Sequence, residues 1–158
     1  MTPQQFLDTV ITPTTTALGL GGPAADQLLL GTALQESGLK SRVQIGGGPA
    51  LGLFQMEPAT HDDCWKNFLA YRPGLAARII ALLPDGIKPT ASALENNDAY
   101  ACGMARIKYL RAPQVLPSAG DLDGQAAYYK TYYNGPGAAT VAEYVENWQT
   151  SGAAACFA

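Results

Sequence analysis

Apolar positions recur at helical spacing almost everywhere along the chain, and no long strand pattern is evident. In "PAADQLLLGTALQESG", Leu30, Ala33, Leu34 and Ser37 repeat with a helical period. Pro23 suits a first helical turn and Gly38 suits the stop, so the spacing predicts a helix ending near Ser37. Residues about 3–18 predict an earlier helix, weakened in its middle by the β-branched residues of "TPTTT" and by Pro13. Further helices are expected near 58–71, 73–83, 94–110, 122–133 and 138–149, with Gly86, Pro89, Pro113, Pro117 and Gly135 marking the breaks. Residues 38–57, with "IGGGP" and "GLFQM", read as a loop with room for two short strands beside the glycines. The expected fold class is a small, mainly α single domain covering residues 1–158, without internal repeat or linker.

Composition narrows what such a domain does. With 47% hydrophobic and 15% charged residues, the chain buries a real core and is not disordered. A net charge of −3, with Lys and Arg scattered singly, argues against nucleic acid as a partner. The densest basic stretch, "RIKYLR", reads as the solvated side of a helix. No apolar run reaches membrane-spanning length, so membrane insertion is not expected. No Lys or Arg precedes Lys40, so the start lacks the basic region of a secretory signal and reads as mature protein. Cys64, Cys102 and Cys156 are an odd, widely spaced set, which points to reduced thiols. In "YACGMARI", Cys102 reads as a small buried hydrophobe.

One residue breaks the apolar pattern of the helix ending near Ser37. Glu36 sits in its last turn beside Leu29, Thr32 and Ala33. A carboxylate there meets the negative end of the helix dipole, and apolar neighbours raise its pKa. Both effects suit a proton donor. The plainer alternative is a surface glutamate paired with Lys40 at i+4.

Other chemistry is less well supported. "EPATHDDCW" gathers Glu57, His61, Asp62, Asp63 and Cys64, but at no zinc-ligand spacing, and acids favoured by a helix N-terminus account for it. His61 is the single histidine and no "GxSxG" accompanies it, which counts against a Ser-His or Cys-His hydrolase. Gly19, Gly21 and Ala24 mimic a dinucleotide fingerprint without a preceding strand. Neither a metal nor a cofactor is expected.

The segments "ESG", "GLFQM" and "YYN" with "GPG", in that order, resemble the lytic transglycosylases and goose-type lysozymes. "QIGGGPALGLFQME", "NNDAYACGMARIKYL", "LPSAGDLDG" and "YYKTYYNGPG" are more narrowly similar to the phage and prophage-encoded members. The resemblance covers roughly residues 30–150 and implies a lysozyme-like fold with an active-site cleft that takes peptidoglycan glycan strands. It implies that Glu36 is the catalytic acid and that Ser37 positions the glycan or the acid. It implies that Gly52, Leu53, Gln55 and Met56 line the sugar cleft, and that Tyr133 and Asn134 form the third motif, with the tyrosine hydroxyl close to the acid. Tyr132 stands where the family has alanine, and Tyr128 and Tyr129 compete for the aromatic role. Aromatic faces and close backbone approach at Gly46, Gly47, Gly48 and Gly52 are what a sugar chain needs.

The implied reaction is cleavage of the MurNAc–GlcNAc β-1,4 bond. Hydrolysis needs two carboxylates, about 5–5.5 Å apart when retaining or roughly 6.5–9.5 Å when inverting. A transglycosylase needs only one, because the muramoyl 6-hydroxyl attacks within its own sugar at high effective molarity. Glu36 then acts as acid and afterwards as base. Transglycosylation is the favoured expectation; a lysozyme or endolysin recruiting Glu57, Asp62, Asp63 or Asp98 is the alternative. The non-enzyme alternative is a structural phage tail component, or a glycan-binding module, keeping the fold without the activity. Without a leader to cross a membrane, such an enzyme is expected to reach the wall in a phage virion, with tail proteins as partners.

Overall fold

The computed structural model describes residues 1–158 as eight α-helices joined by short 3₁₀ and π turns, with no strand. Helices α1 (Pro3–Phe6) and α2 (Thr12–Leu18) form one rod interrupted by a π turn at Leu7–Ile11. Pro13 has no N–H to give the helical ladder. The wide turn just before it, where the Thr12 N–H reaches back to Leu7, absorbs that loss without a break. The expected weakness at Pro13 is therefore a change of pitch.

Helix α3 (Pro23–Ser37) runs through the middle of the molecule and is buried on every side from Ala25 to Leu34. A helix this apolar belongs inside a bundle, not on its surface. Helices α6 (Asp98–Leu110), α7 (Leu122–Tyr129) and α8 (Val141–Ser151) pack around it. Gly31 lets α8 come close: a Cβ there would stand 2.0 Å from the Tyr144 hydroxyl oxygen. Each fully buried Leu of α3 contributes roughly 1.5–3 kcal/mol of transfer free energy.

Polar groups buried around α3 are paired at Thr32 and Asp26. The Thr32 hydroxyl is 2.7 Å from that of Tyr109, and Asp26 accepts from the hydroxyls of Thr12 at 3.0 Å and Thr15 at 2.8 Å. Unpaired, each would cost about 1–3 kcal/mol.

Helices α4 (Pro58–Asn67) and α5 (Pro73–Ile80) pack at one end, with a 3₁₀ turn at Leu69–Tyr71 between them. The helix expected from 94 starts instead at Asp98, after a separate 3₁₀ turn at Ala91–Leu94. The helix expected over 122–133 ends as a π turn, Lys130–Asn134. Between α3 and α4 the chain forms no strand, only single bridges from Leu51 to Val43 and to Met56. All three cysteines are free thiols, and burial pushes Cys64 and Cys102 up. No helix is long and apolar enough to cross a membrane.

Candidate functional site

Helix α3 stops because Gly38 turns left-handed (φ 61°), leaving Glu36 in the final turn. Glu36 lines a cleft of about 680 Å³. One wall is the loop between α3 and α4, with Val43, Gln44, Ile45, Gln55 and Met56. The other is the π turn and the loop after it, with Tyr132, Tyr133, Asn134 and Pro136. Segments roughly ninety residues apart in sequence thus meet over one carboxyl.

Burial pushes the Glu36 pKa up to about 7, against weaker lowering by the Tyr129 hydroxyl and by the charge of Lys108. No cation lies within ion-pairing distance of it: the salt bridges of the molecule are Arg42 with Asp98, Arg111 with Asp63, and the contact of His61 with Asp62. The pairing with Lys40 does not form. A half-desolvated, unpaired carboxyl with a value near neutrality can hold a proton and release it.

The tyrosine hydroxyl that faces Glu36 belongs to Tyr129, in the last turn of α7. It is the one buried side-chain polar atom with no partner at hydrogen-bonding geometry, although it lies near both Glu36 and Asn134. The hydroxyl of Tyr133 is committed elsewhere, donating to the Phe54 carbonyl at 2.7 Å. Tyr133 lines the cleft with its ring and ties the two walls together. The π turn Lys130–Asn134 follows directly on Tyr129 and carries Tyr133. Across it the Tyr129 and Tyr133 rings stack 6.0 Å apart between centres at 21° between planes, the Tyr133 hydroxyl bonded to the Phe54 carbonyl and that of Tyr129 beside Glu36.

Of the other residues expected at the site, Gln55, Met56 and Asn134 line the cleft, while Ser37, Gly52 and Leu53 lie beneath it. The Ser37 hydroxyl donates to the Leu53 carbonyl at 2.6 Å, which docks the loop on the end of α3. Gly52 has φ 78°, and a Cβ on it would fall 2.2 Å from the Leu94 carbonyl oxygen, so its close approach is to backbone. Leu53 and Phe54 plug the core, 1% and 0% exposed. Gln55 is left-handed (φ 46°), unusual for a residue with a side chain, and its amide folds back onto the Gly52 carbonyl at 2.9 Å. Asn134 is held through its side-chain oxygen by Lys130 at 2.7 Å.

Three of the acids considered as a second carboxylate are engaged away from the cleft. Asp98 takes both guanidinium nitrogens of Arg42, Asp63 takes Arg111 at 2.8 Å, and Asp62 takes His61 at 2.9 Å. Glu57, the residue before α4, does line the cleft. His61 is buried, its Nε2 2.7 Å from the Tyr100 hydroxyl, which also accepts from the Trp65 indole at 2.9 Å. No group of three metal-ligating side chains comes together anywhere in the chain.

Comparison with known proteins finds no matching family model, no matching curated protein and no matching solved structure.

The sequence reading missed Lys108. "RIKYLR" is not the solvated side of its helix: Arg106 is buried and donates to the Leu20 carbonyl at 3.0 Å, and Arg111 pairs with Asp63. Lys108 points into the cleft, its ammonium donating to the Tyr133 carbonyl at 2.6 Å and lying 4.4 Å from the centre of the Tyr133 ring. Burial lowers its pKa. The available signal was positional. Ile107 and Tyr109 are core, and Met104, one helical turn before Lys108, is as apolar as they are.

Proposed function

We propose that this chain is a glycan-cleaving enzyme with a lysozyme-like fold, in which Glu36 protonates the glycosidic oxygen of peptidoglycan. The observation that carries the reading is Glu36 lining the cleft, its carboxyl burial-raised to about 7 and free of any ion pair. A surface or structural glutamate has no need of such a setting, and a perturbed carboxyl in a cleft lined by polar groups is a functional-site signature. The motif order that resembles lytic transglycosylases supplies the substrate class.

The cleft fits an extended polar chain better than a compact apolar ligand. It is open, and its walls offer amide groups at Gln44, Gln55 and Asn134 beside the Tyr132 and Tyr133 rings. Transglycosylation is the favoured reaction, because Asp62, Asp63 and Asp98 are occupied elsewhere and burial raises the Glu36 carboxyl to about 7. In that scheme Glu36 gives its proton to the leaving oxygen. As a carboxylate it then takes the proton of the muramoyl 6-hydroxyl, which closes a 1,6-anhydro ring. Glu57, at the cleft wall, keeps a hydrolytic reading specific: it would activate water.

Digestion of purified cell walls followed by mass spectrometry tests both. Fragments lighter by one water than hydrolysis products are expected. Reducing ends alone would assign hydrolysis and Glu57, and undigested walls at every pH would overturn the enzyme reading.

A further inference from the structure

We infer that Lys108 is a positioning residue for the acid: a cation fixed at a stand-off from Glu36, which tunes that carboxyl without pairing with it. The inference rests on the proposed acid role of Glu36 for its purpose, not for its geometry.

Lys108 is the only lysine or arginine lining the cleft, and Glu36 and Glu57 are the only acids there. A lysine on a flexible stem beside a half-buried carboxylate ordinarily swings into contact, since an ion pair in a partly desolvated site is favourable. Here it does not, because its ammonium is already held. The Tyr133 carbonyl takes one N–H at 2.6 Å, and the Tyr133 ring lies 4.4 Å away as a cation–π partner. Tyr133 is itself fixed by its hydroxyl on the Phe54 carbonyl and by the π turn that carries it. The chain from Phe54 through Tyr133 to Lys108 is a brace, and its effect is to keep a positive charge near Glu36 but out of reach.

The consequence is electrostatic. A contact pair would hold Glu36 ionised at neutral pH and leave it no proton to give. With no cation at all, desolvation alone would make the carboxylate left after proton transfer costly. A charge at a distance lowers that cost while leaving the proton in place. The groups facing Glu36 are the Tyr129 hydroxyl, the Tyr133 ring and Lys108. Lys108 also feels Glu57 and the Cys64 thiol.

The test reads Glu36 directly and then its reaction. In protein carrying ¹³C-labelled glutamate carboxyls, Glu36→Gln identifies the Glu36 resonance among five. Its titration midpoint is followed in the wild type, Lys108→Met and Lys108→Arg, beside the pH profile of wall digestion. Lys108→Met is expected to move the midpoint upward by about half a unit to one unit, since an opposite charge nearby favours ionisation. The alkaline limb of activity is expected to move with it. Lys108→Arg keeps the charge and restores most of the shift. An unchanged midpoint in a folded Lys108→Met overturns the inference, as does a raised KM with no movement of the midpoint, which would make Lys108 a substrate contact. A shifted midpoint in a protein that digests no wall upholds the stand-off and removes the peptidoglycan reading instead.

Discussion

Helix α6 carries a polar cluster at each end, and the two are built on opposite terms. At its start, Tyr100 accepts from the Trp65 indole, so its own proton goes to His61 Nε2, and His61 Nδ1 then donates to Asp62. Every buried atom in that chain has a partner, and burial raises the Tyr100 hydroxyl to about 12, which keeps it a donor. At the other end, Lys108 faces Glu36 across the cleft, and the Tyr129 hydroxyl lies beside Glu36 and Asn134 without reaching hydrogen-bonding geometry to either. A closed polar network fixes a shape. An open one leaves hydrogen-bonding capacity for something that arrives later, and an unpaired buried hydroxyl beside a near-neutral carboxyl is the form that capacity takes here.

Four substitutions sharpen or break that contrast. Glu36→Gln keeps the shape of the side chain and removes its proton, and wall digestion is expected to fall by about 10²–10⁴-fold. Its stability moves the other way. A carboxyl held above its unfolded value of 4.5 binds more protons when folded, so it gives full stability below that pH and loses it as pH rises through about 7. At pH 8 the glutamine variant is therefore expected to be more stable than the wild type, by at most roughly 3 kcal/mol, and equal to it at pH 4. Denaturant melts at the two pH values read this, and a variant less stable at pH 8 would contradict the raised pKa.

Tyr100→Phe strips the closed network of its centre and leaves His61 and Trp65 each short of a buried partner. A loss of about 2–4 kcal/mol is expected, with activity per folded molecule unchanged. Tyr133→Phe frees the Phe54 carbonyl and loosens the brace, and about 1–2 kcal/mol is expected to go, with turnover falling less than stability. Tyr129→Phe removes a hydroxyl whose contact with Glu36 falls short of hydrogen-bonding geometry. Its melting temperature is expected to hold or rise slightly, while the Glu36 midpoint rises, because the hydroxyl's lowering influence is gone. If Tyr129→Phe costs as much stability as Tyr100→Phe, the two clusters are not built differently.

The fold was legible where periodicity decided it. The helix ending at Ser37 and the helices on either side of the glycine loop follow from spacing and from Pro and Gly punctuation. Glu36 was legible for the same reason, being polar where its neighbours are not. The tyrosines were not separable by sequence, because "YYKTYY" offers four rings and an ordinary helical pitch puts none of them decisively at the acid. Tertiary contacts sort them: the Tyr133 hydroxyl goes to the Phe54 carbonyl and the Tyr129 hydroxyl lies beside Glu36. Lys108 was hidden by its charge. A basic residue on a helix is usually solvated, and only the convergence of α6 with the Tyr133 carbonyl shows that this one is not.

The loop that forms the first wall is unevenly tethered. Near its C-terminal end, Leu53 and Phe54 are sunk in the core and their carbonyls accept from Ser37 and Tyr133, whereas Ile45 at its far end is 86% exposed and leads into Gly46 and Gly47, both left-handed. Amide exchange should therefore divide the wall in two: fast from about 43 to 49, slow from about 51 to 56. A protease nick among the glycines would leave both pieces docked, each held by its own share of the core. New chain ends opened at that point would be tolerated for the same reason. The wall could then be lengthened, shortened or retargeted from its rim, with the residues that hold the acid left where they are.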